Sequence, residues 1–195
     1  MAIDHNRKIV FIHIPKNYGS TINNLFGFEN KFVMNHYDLE LTEKIWKEYF
    51  VFTFVRNPFE RMLSLYYFWK DLARFECSFE HFCQYPENVF EKHIYNKETR
   101  NGILDKREKI HLFSQSSLNG NFEMWNFVDF VGRCENWEYD INFVLSKFGL
   151  EYRSVRENPA FSRLGKHYSK FYTNKTVELV SNRYSEDLEK FNYKF

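Results

Sequence analysis

The stretch KIVFIHIPKNYGSTINNLF, residues 8–26, decides the fold of this chain. Residues 9–14 form a short apolar run rich in β-branched side chains, which predicts a buried strand. Pro15 ends that strand, because proline has no N–H with which to continue the hydrogen bonds of a sheet. Residues 19–21, Gly-Ser-Thr, allow a tight turn and an N-cap, and the apolar residues after them have helical spacing. The stretch therefore predicts a strand, a short loop and a helix.

This strand, loop and helix predict an anion site. The geometry points several backbone N–H groups and the N-terminus of a helix at one place, which suits a phosphate or a sulfate. Lys16 adds an ammonium group from the loop, and Ser20 and Thr21 add hydroxyl donors. The loop is not a Walker A motif, because its lysine comes three residues before its only glycine, Gly19. The alternative is an ordinary turn between a strand and a helix, with a solvated lysine.

A second strand is predicted over residues 50–55, FVFTFV, which are apolar on both faces as in a central parallel strand. Asn57 suits the N-cap of a helix predicted over residues 58–73, which starts with a proline. In open α/β sheets, ligands bind outside the carboxyl ends of the strands. We therefore expect Lys16 and Arg56, which follow the two strands, to lie at the same rim of the sheet.

The composition favours one domain over residues 1–195, a length that allows a sizeable core. With 23 phenylalanines and 13 tyrosines, aromatic side chains must supply much of the volume of that core. The net charge of +1 creates no global field that favours nucleic acid, so we expect no nucleic-acid partner and only a local anion site. Residues 177–191 have the pattern of an amphipathic helix that packs on the sheet.

No apolar run in the sequence is long enough for a signal peptide or a membrane span, so we expect no membrane anchor. The three cysteines are odd in number and not arranged as a disulfide framework, which favours a reducing, cytoplasmic setting. Cys77, His81 and Cys83 match no tetrahedral zinc spacing. No metal is therefore predicted, and Cys77 and Cys83 are expected to be buried apolar residues.

Two segments resemble the signature segments of sulfotransferases that use 3′-phosphoadenosine 5′-phosphosulfate (PAPS). Residues 12–21, IHIPKNYGST, resemble the loop of that family that binds the 5′-phosphosulfate. Residues 52–67, FTFVRNPFERMLSLYY, resemble its 3′-phosphate element, an Arg-x-Pro-x-x-Arg-x-x-Ser pattern. The likeness is closest to the branch that contains the heparan and dermatan uronyl 2-O-sulfotransferases and compact microbial relatives.

The resemblance extends over nearly the whole chain. Residues 110–116, IHLFSQS, resemble a His-x-x-x-Gln-Ser segment of that branch, and a third strand is predicted over residues 127–132. Residues 133–140 resemble the Arg-x-Glu-x-x-x-x-Asp pattern at the start of the following helix in that branch. Residues 184–193 resemble the Tyr-x-x-Asp-x-x-x-Phe-x-Tyr pattern near the end of its chains. The missing membrane anchor of the lumenal relatives indicates a prokaryotic or viral enzyme.

The resemblance implies a set of site residues. Lys16 is the catalytic lysine, which neutralises charge that develops on the leaving nucleotide. The family more often has threonine and then a small residue where this chain has Asn17 and Tyr18, so the Tyr18 ring is expected to point outward or to stack on the acceptor. Arg56 and Ser64 suit the 3′-phosphate. In the family a late basic loop closes over the nucleotide, which makes Arg163 and Lys166 candidate lid residues; the alternative is a solvated basic turn. The implied donor-binding residues are Lys16, Asn17, Tyr18, Gly19, Ser20, Thr21, Arg56, Ser64, Arg163 and Lys166.

The acceptor hydroxyl needs a general base, and two residues compete for the role. His36 lies 20 residues before Arg56, close to the spacing of the catalytic histidine in the uronyl branch, and a neutral imidazole takes a proton near pH 7. Glu60 is the alternative, because other branches use a glutamate. Its place on the helix after Arg56 favours a structural ion pair instead. The scheme requires no metal.

The sequence therefore predicts an α/β domain with a P-loop-like, mainly parallel sheet flanked by helices. The predicted function is transfer of a sulfuryl group from PAPS to a hydroxyl, on a carbohydrate such as a glycan. One alternative is a small-molecule kinase, which would need a Walker A lysine and an acidic Mg²⁺ ligand that the sequence lacks. The other is a nucleotide-binding module without catalytic activity, which would bind PAPS without turnover.

Overall fold

The computed structural model describes most of the chain, namely residues 1–28, 43–95, 98–99, 102–103, 106–117, 122–152 and 166–195. It contains two compact units. The first unit consists of Met1–Arg56 and Gly120–Glu157, and the second of Asn57–Asn119 and Asn158–Phe195. His36 and Arg163 lie outside the described residues. The single domain over residues 1–195 stays a prediction.

Strands and helices are numbered in chain order within these described ranges. The strands are β1 (Ala2–Asp4), β2 (Ile9–Ile12), β3 (Phe50–Val55), β4 (Glu98–Thr99), β5 (Gly102–Ile103) and β6 (Phe130–Arg133). The α-helices are α1 (Gly19–Phe26), α2 (Glu43–Glu48), α3 (Pro58–Ala73), α4 (Phe79–Gln84), α5 (Pro86–Val89), α6 (Trp137–Ser146), α7 (Asn174–Arg183) and α8 (Ser185–Lys190). A π-helix covers Phe90–Ile94, and 3₁₀ helices cover Lys106–Leu112, Phe122–Phe127, Cys134–Asn136 and Tyr168–Phe171.

The first unit is built on a four-stranded sheet in the order β1-β2-β3-β6. β1 runs antiparallel to β2, whereas β2, β3 and β6 are parallel, with Phe52 opposite both Phe11 and Phe130. The predicted class, a mainly parallel sheet flanked by helices, is confirmed. β3 lies between two parallel neighbours, as its double-sided apolar sequence predicts, and the predicted range of residues 50–55 is correct.

The other two predicted strands have different bounds. β2 ends at Ile12 rather than Ile14, because residues 13 and 14 already lead into the loop before Pro15. β6 begins at Phe130 rather than at residue 127. The residue before β6, Asp129, pairs with β3 in another way: its carboxylate accepts the Val51 N–H at 2.8 Å, and its own N–H donates to the Val51 carbonyl at 2.8 Å.

Aromatic side chains fill the core of the first unit, as the composition predicts. The Phe11 and Phe52 rings lie 5.0 Å apart between centroids, and Phe54 packs on Trp137 at 5.3 Å. Helix α6 adds aliphatic side chains to the same core. The sheet thus carries rigid rings up to the ends of β2 and β3, where the anion site is predicted.

The second unit is organised around α3. Asn57 is its N-cap, as predicted, because its side-chain oxygen accepts the Phe59 N–H at 3.0 Å and Pro58 occupies the first helical position. The helix ends at Ala73, where Arg74 takes a left-handed conformation with φ 53°. The large buried rings around α3 include Trp69, Phe82 and Phe90.

The single helix predicted over residues 177–191 is instead two helices, α7 and α8, separated at Tyr184. Tyr184 leaves the helical region with φ −117° and ψ 31°. Its hydroxyl donates to the Leu112 carbonyl at 3.2 Å, a contact from far along the chain. The break follows from such distant bonds, which local periodicity does not reveal.

Within the described parts of the chain, no helix combines the length and the apolar character that a membrane crossing requires.

Candidate functional site

The loop between β2 and α1 contains two residues in the left-handed region. Lys16 has φ 72° and Tyr18 has φ 58°, and Asn17 separates them. This conformation costs a non-glycine residue about 1–2 kcal/mol, so the surrounding contacts must maintain it. Turns of this kind bring successive backbone N–H groups to one side and form a concave site for an anion. The loop therefore alternates in backbone conformation as such sites do, and binding of an anion there stays a prediction.

Two side chains join this loop to the end of β3. The Asn17 amide nitrogen donates to the Phe54 carbonyl at 2.7 Å, and Asn17 is only 1% exposed. Arg56 Nη1 donates to the Lys16 carbonyl at 3.3 Å. The structure thus brings Lys16 and Arg56 together at one end of the parallel strands. Asn17 fastens the loop with its amide nitrogen, and its role in donor binding stays a prediction.

Gly19 is required by a close approach rather than by its backbone angle. A Cβ built on Gly19 would lie 1.9 Å from His13 Nε2, so any side chain would force the imidazole to move. His13 is half-buried, and its ring stacks on Phe11 with centroids 5.9 Å apart. Reasoning from the sequence did not single out His13. The available signal was a polar ring at the exit of an apolar strand, next to a loop with a glycine.

Helix α1 begins directly after this loop. Its first turn carries the exposed Ser20 and the half-exposed Thr21 and has no acidic side chain. The N-terminus of a helix carries a partial positive charge and attracts anions. Gly27 ends the helix in the left-handed region, with its N–H bonded to the Asn23 carbonyl. Ser20 and Thr21 are therefore placed where an anion at the N-terminus of α1 would reach them.

The half-buried Tyr18 ring packs against the core of the first unit, and stacking of the ring on an acceptor stays a prediction. Its centroid lies 4.7 Å from that of Trp137, with an angle of 52° between the ring planes. Arg56 Cζ lies 5.7 Å from the Tyr18 centroid, within the range of a cation–π contact. Trp137 is a further site residue that sequence reasoning missed, although it lies within the family-like segment of residues 133–140.

The remaining described candidates belong to the second unit. Ser64 is buried on α3, with 6% exposure, and Glu60 is half-buried in the first turn of the same helix. Lys166 is exposed at the start of the last described stretch. The roles of Ser64, Arg163 and Lys166 in donor binding stay predictions. The role of general base, for which His36 and Glu60 compete, also stays a prediction.

Arg61, the second arginine of the Arg-x-Pro-x-x-Arg-x-x-Ser pattern, holds the second unit together. It is 2% exposed, and its guanidinium donates to the carbonyls of Phe113 at 3.0 Å and His111 at 3.2 Å. Its Cζ lies 5.8 Å from the centroid of Tyr184. An arginine of this pattern thus fixes the segment that contains the His-x-x-x-Gln-Ser pattern.

Asp187 connects the same segment to the closing motif. Its fully buried carboxylate accepts the backbone N–H groups of Gln115 at 2.9 Å and Ser116 at 2.7 Å. In the first unit, Asp140 has a comparable role, because it accepts the Arg133 N–H and the Asn136 amide. The downstream family-like segments therefore supply bonds that shape the backbone.

The cysteines show no sign of a shared site. Cys77, Cys83 and Cys134, all within the described part, form no disulfide. Cys83 is buried as expected, and burial raises the pKa of its thiol to about 12, whereas Cys77 is only half-buried. Among the described residues, no group of three or more histidine, cysteine, aspartate or glutamate side chains is placed to hold a metal ion.

Comparisons with known proteins agree with these motifs. A family model described as "Sulfotransferase family" matches residues 1–194. A protein of Archaeoglobus fulgidus, which bears only the name "Uncharacterized protein", is 31% identical over 119 residues, or 60% of this chain and 83% of that protein. No solved structure matches the chain at a significant level. Because the family model covers nearly all of the chain and its motif residues form the loop and the buried bonds described above, the chain belongs to the sulfotransferase family.

Proposed function

We propose that this protein transfers a sulfuryl group from PAPS to an acceptor hydroxyl on a carbohydrate. One observation carries the proposal. Arg56, at the end of β3, donates to the carbonyl of Lys16 in the left-handed loop before α1. This bond places the Arg56 guanidinium against the backbone of the loop that carries Lys16, the second cation that the donor would need.

The residues of the first unit fit such a donor. The backbone N–H groups of residues 19–21 lie at the N-terminus of α1 and suit the 5′-phosphate. The Arg56 guanidinium is planar and always charged, and it presents paired N–H donors that match a phosphate such as the 3′-phosphate. The half-buried Lys16 follows the end of β2 and lies in the same loop, three residues before Gly19.

Sulfuryl transfer forms a bond from the acceptor oxygen to sulfur and breaks the bond from sulfur to the bridging oxygen of the phosphosulfate. Negative charge then develops on the leaving nucleotide. The Lys16 ammonium would stabilise that charge. Electrostatic stabilisation of the transition state by preorganised groups is usually the largest single contribution to catalysis. The backbone N–H groups of the loop position the donor, because catalysis of this kind depends mainly on alignment and charge.

We assign the general base to His36, whose neutral imidazole would accept the proton of the acceptor hydroxyl. We expect His36→Ala to lower turnover by roughly 10²- to 10⁴-fold while nucleotide binding stays near that of the wild type. The matched comparison is Glu60→Gln on α3. Loss of turnover in Glu60→Gln with a normal rate in His36→Ala would transfer the role to Glu60.

The carbohydrate acceptor rests on the resemblance to the uronyl branch alone, because one fold serves many acceptors and the site surface decides among them. A panel of uronic-acid glycans, simple sugars and small alcohols, assayed with PAPS, would identify the acceptor class. Location in the reducing cytoplasm is part of the same proposal, and the three unbridged cysteines support it.

A thermal-shift panel tests the donor. We expect adenosine 3′,5′-bisphosphate, the product nucleotide, to stabilise the fold by about 2.7 kcal/mol at a hundred times its dissociation constant. ATP with Mg²⁺ and GTP should stabilise it much less. Equal stabilisation by ATP and the bisphosphate would favour a kinase. Binding of PAPS with no turnover on any acceptor would favour a binding module without catalytic activity.

A further inference from the structure

Tyr18 has an unusual conformation for its residue type. It lies at φ 58° and ψ 20°, a region that glycine or asparagine enters far more readily than an aromatic residue. Backbone outliers of this kind persist only where neighbouring contacts hold them, and they concentrate at functional sites. The question is therefore what the tyrosine ring contributes that a small residue at this place would not.

The contacts of the ring include an aromatic side chain and a cationic one. On one side the ring packs on Trp137, which is 5% exposed and itself rests on Phe54 at 5.3 Å. Arg56 is the cationic neighbour, with Cζ 5.7 Å from the Tyr18 centroid. Trp137 thus fixes the Tyr18 ring, and the ring in turn offers its π-system to the guanidinium.

We propose that Tyr18 is a positioning residue that orients the Arg56 guanidinium and thereby sets the preference for a nucleotide with a 3′-phosphate. The bond from Arg56 Nη1 to the Lys16 carbonyl restrains one nitrogen of the guanidinium. The contact with the Tyr18 ring adds a restraint on the plane of the guanidinium. An arginine that is held before the ligand arrives loses less freedom when it binds a phosphate.

This inference rests on the proposed function, because it concerns the phosphate that Arg56 would bind. It goes further in assigning selectivity to a residue that stands where the family more often has a small one. A cation–π contact of this type contributes enough to change an affinity by roughly 3- to 30-fold. The effect should fall on ligands with a 3′-phosphate and spare those without one.

The experiment measures binding of adenosine 3′,5′-bisphosphate and of adenosine 5′-monophosphate by calorimetry. The variants are Tyr18→Leu, which removes the ring but keeps bulk, and Tyr18→Phe, which keeps the ring. Tyr139→Leu on α6 is the matched control, because Tyr139 is 73% exposed. We expect Tyr18→Leu to lower the affinity for the bisphosphate roughly 3- to 30-fold and the affinity for the monophosphate less than twofold. Tyr18→Phe should retain most of the selectivity.

The same substitution in an Arg56→Ala background completes the test. If Tyr18 acts through Arg56, Tyr18→Leu should cause no further loss of bisphosphate affinity there. An equal loss of affinity for both nucleotides in Tyr18→Leu would show general distortion of the loop and overturn the proposal. A loss of affinity that persists without Arg56 would also overturn it, as would unchanged affinities in Tyr18→Leu. If the wild type binds both nucleotides equally, the proposed donor itself is wrong, which is a separate outcome.

Discussion

Arg56 and Arg61 belong to one motif and lie five residues apart, yet their surroundings differ. Arg56 contacts a strained loop in the first unit, through the Lys16 carbonyl and the Tyr18 ring. Arg61 is enclosed in the second unit, where it binds the carbonyls of Phe113 and His111. One sequence motif can thus combine residues arranged for a ligand with residues that hold the backbone, and their contacts in the structure distinguish the two kinds.

The largest effect should come from the loop of the first unit. We expect Lys16→Ala to lower turnover by roughly 10²- to 10³-fold, because it removes a positive charge that stabilises the leaving nucleotide in the transition state. Donor affinity and the melting temperature should change little. Steady-state kinetics with PAPS measure turnover and donor affinity, and a denaturation curve measures stability. Lys92→Ala is the control for loss of a lysine, because Lys92 is exposed and outside the candidate site. A Lys16→Ala variant with weak donor binding but normal turnover would contradict the assigned role.

Substitution of the two arginines should affect different properties, nucleotide affinity for Arg56 and stability for Arg61. Arg56→Ala should weaken the binding of adenosine 3′,5′-bisphosphate by roughly 10- to 100-fold, because it removes hydrogen bonds to a charged phosphate, and it should lower stability less than Arg61→Ala does. Arg61→Ala should instead lower the free energy of unfolding by about 1.5–3 kcal/mol, because it leaves two carbonyls without their donor. Calorimetric titration and urea denaturation of both variants provide the measurements. A stable Arg61→Ala protein that has lost nucleotide binding would show that Arg61, like Arg56, serves the ligand.

The close packing of Gly19 on His13 should produce a moderate effect. Gly19→Ala places a Cβ 1.9 Å from His13 Nε2, and overpacking of this kind costs typically about 1–3 kcal/mol of stability. His13→Ala in the same chain should remove the clash and recover part of the loss. Chemical denaturation of the two single variants and the double variant gives the coupling. If the losses of stability in the two single variants simply add in the double variant, the contact between Gly19 and His13 does not constrain the loop.

The smallest effect at neutral pH concerns buried tyrosines of the second unit. Burial raises the pKa of Tyr184 and holds that of Tyr172 well above its usual value. Below about pH 10 both the folded and the unfolded chain keep these protons, so the tyrosines add no pH dependence. Above that value the unfolded chain loses them first, so stability should fall by up to about 1.4 kcal/mol per pH unit for each tyrosine.

Urea denaturation between pH 9 and 11 measures this slope. Tyr184→Phe is the matched variant: it gives up the bond to the Leu112 carbonyl and should show a shallower slope. A slope that Tyr184→Phe leaves unchanged would mean that Tyr184 titrates normally in the folded chain.

The sequence predicted best those features that neighbouring residues determine. β3 and α3 have the predicted bounds, because an apolar run, an N-cap asparagine and a proline at the first helical position all act locally. β1 was missed, since three residues are too few for a periodic pattern. The break between α7 and α8 was missed because the Tyr184 hydroxyl bonds to a residue far away in sequence.

The candidate site divides in the same manner. The meeting of Lys16 and Arg56 was predictable, because parallel strands deliver their carboxyl ends to one rim. The orientation of Tyr18 was not, because it depends on Trp137, which arrives from the helix after β6. His13 was overlooked for a similar reason: its importance lies in the space that it occupies beside Gly19. Local patterns reveal which groups a site contains, whereas packing across the chain decides how they are oriented.

The dependence of the loop on Trp137 also bears on the order in which the protein acquires its shape as it is synthesised. β2 and β3 leave the ribosome early, but β6, the parallel neighbour of β3, and the indole that packs on Tyr18 follow only after the intervening part of the second unit. Contacts between distant segments form late, because a long loop must close first. The loop between β2 and α1 should thus reach its final conformation only after most of the chain has been made. A nascent chain that stops before residue 137 should not bind the product nucleotide.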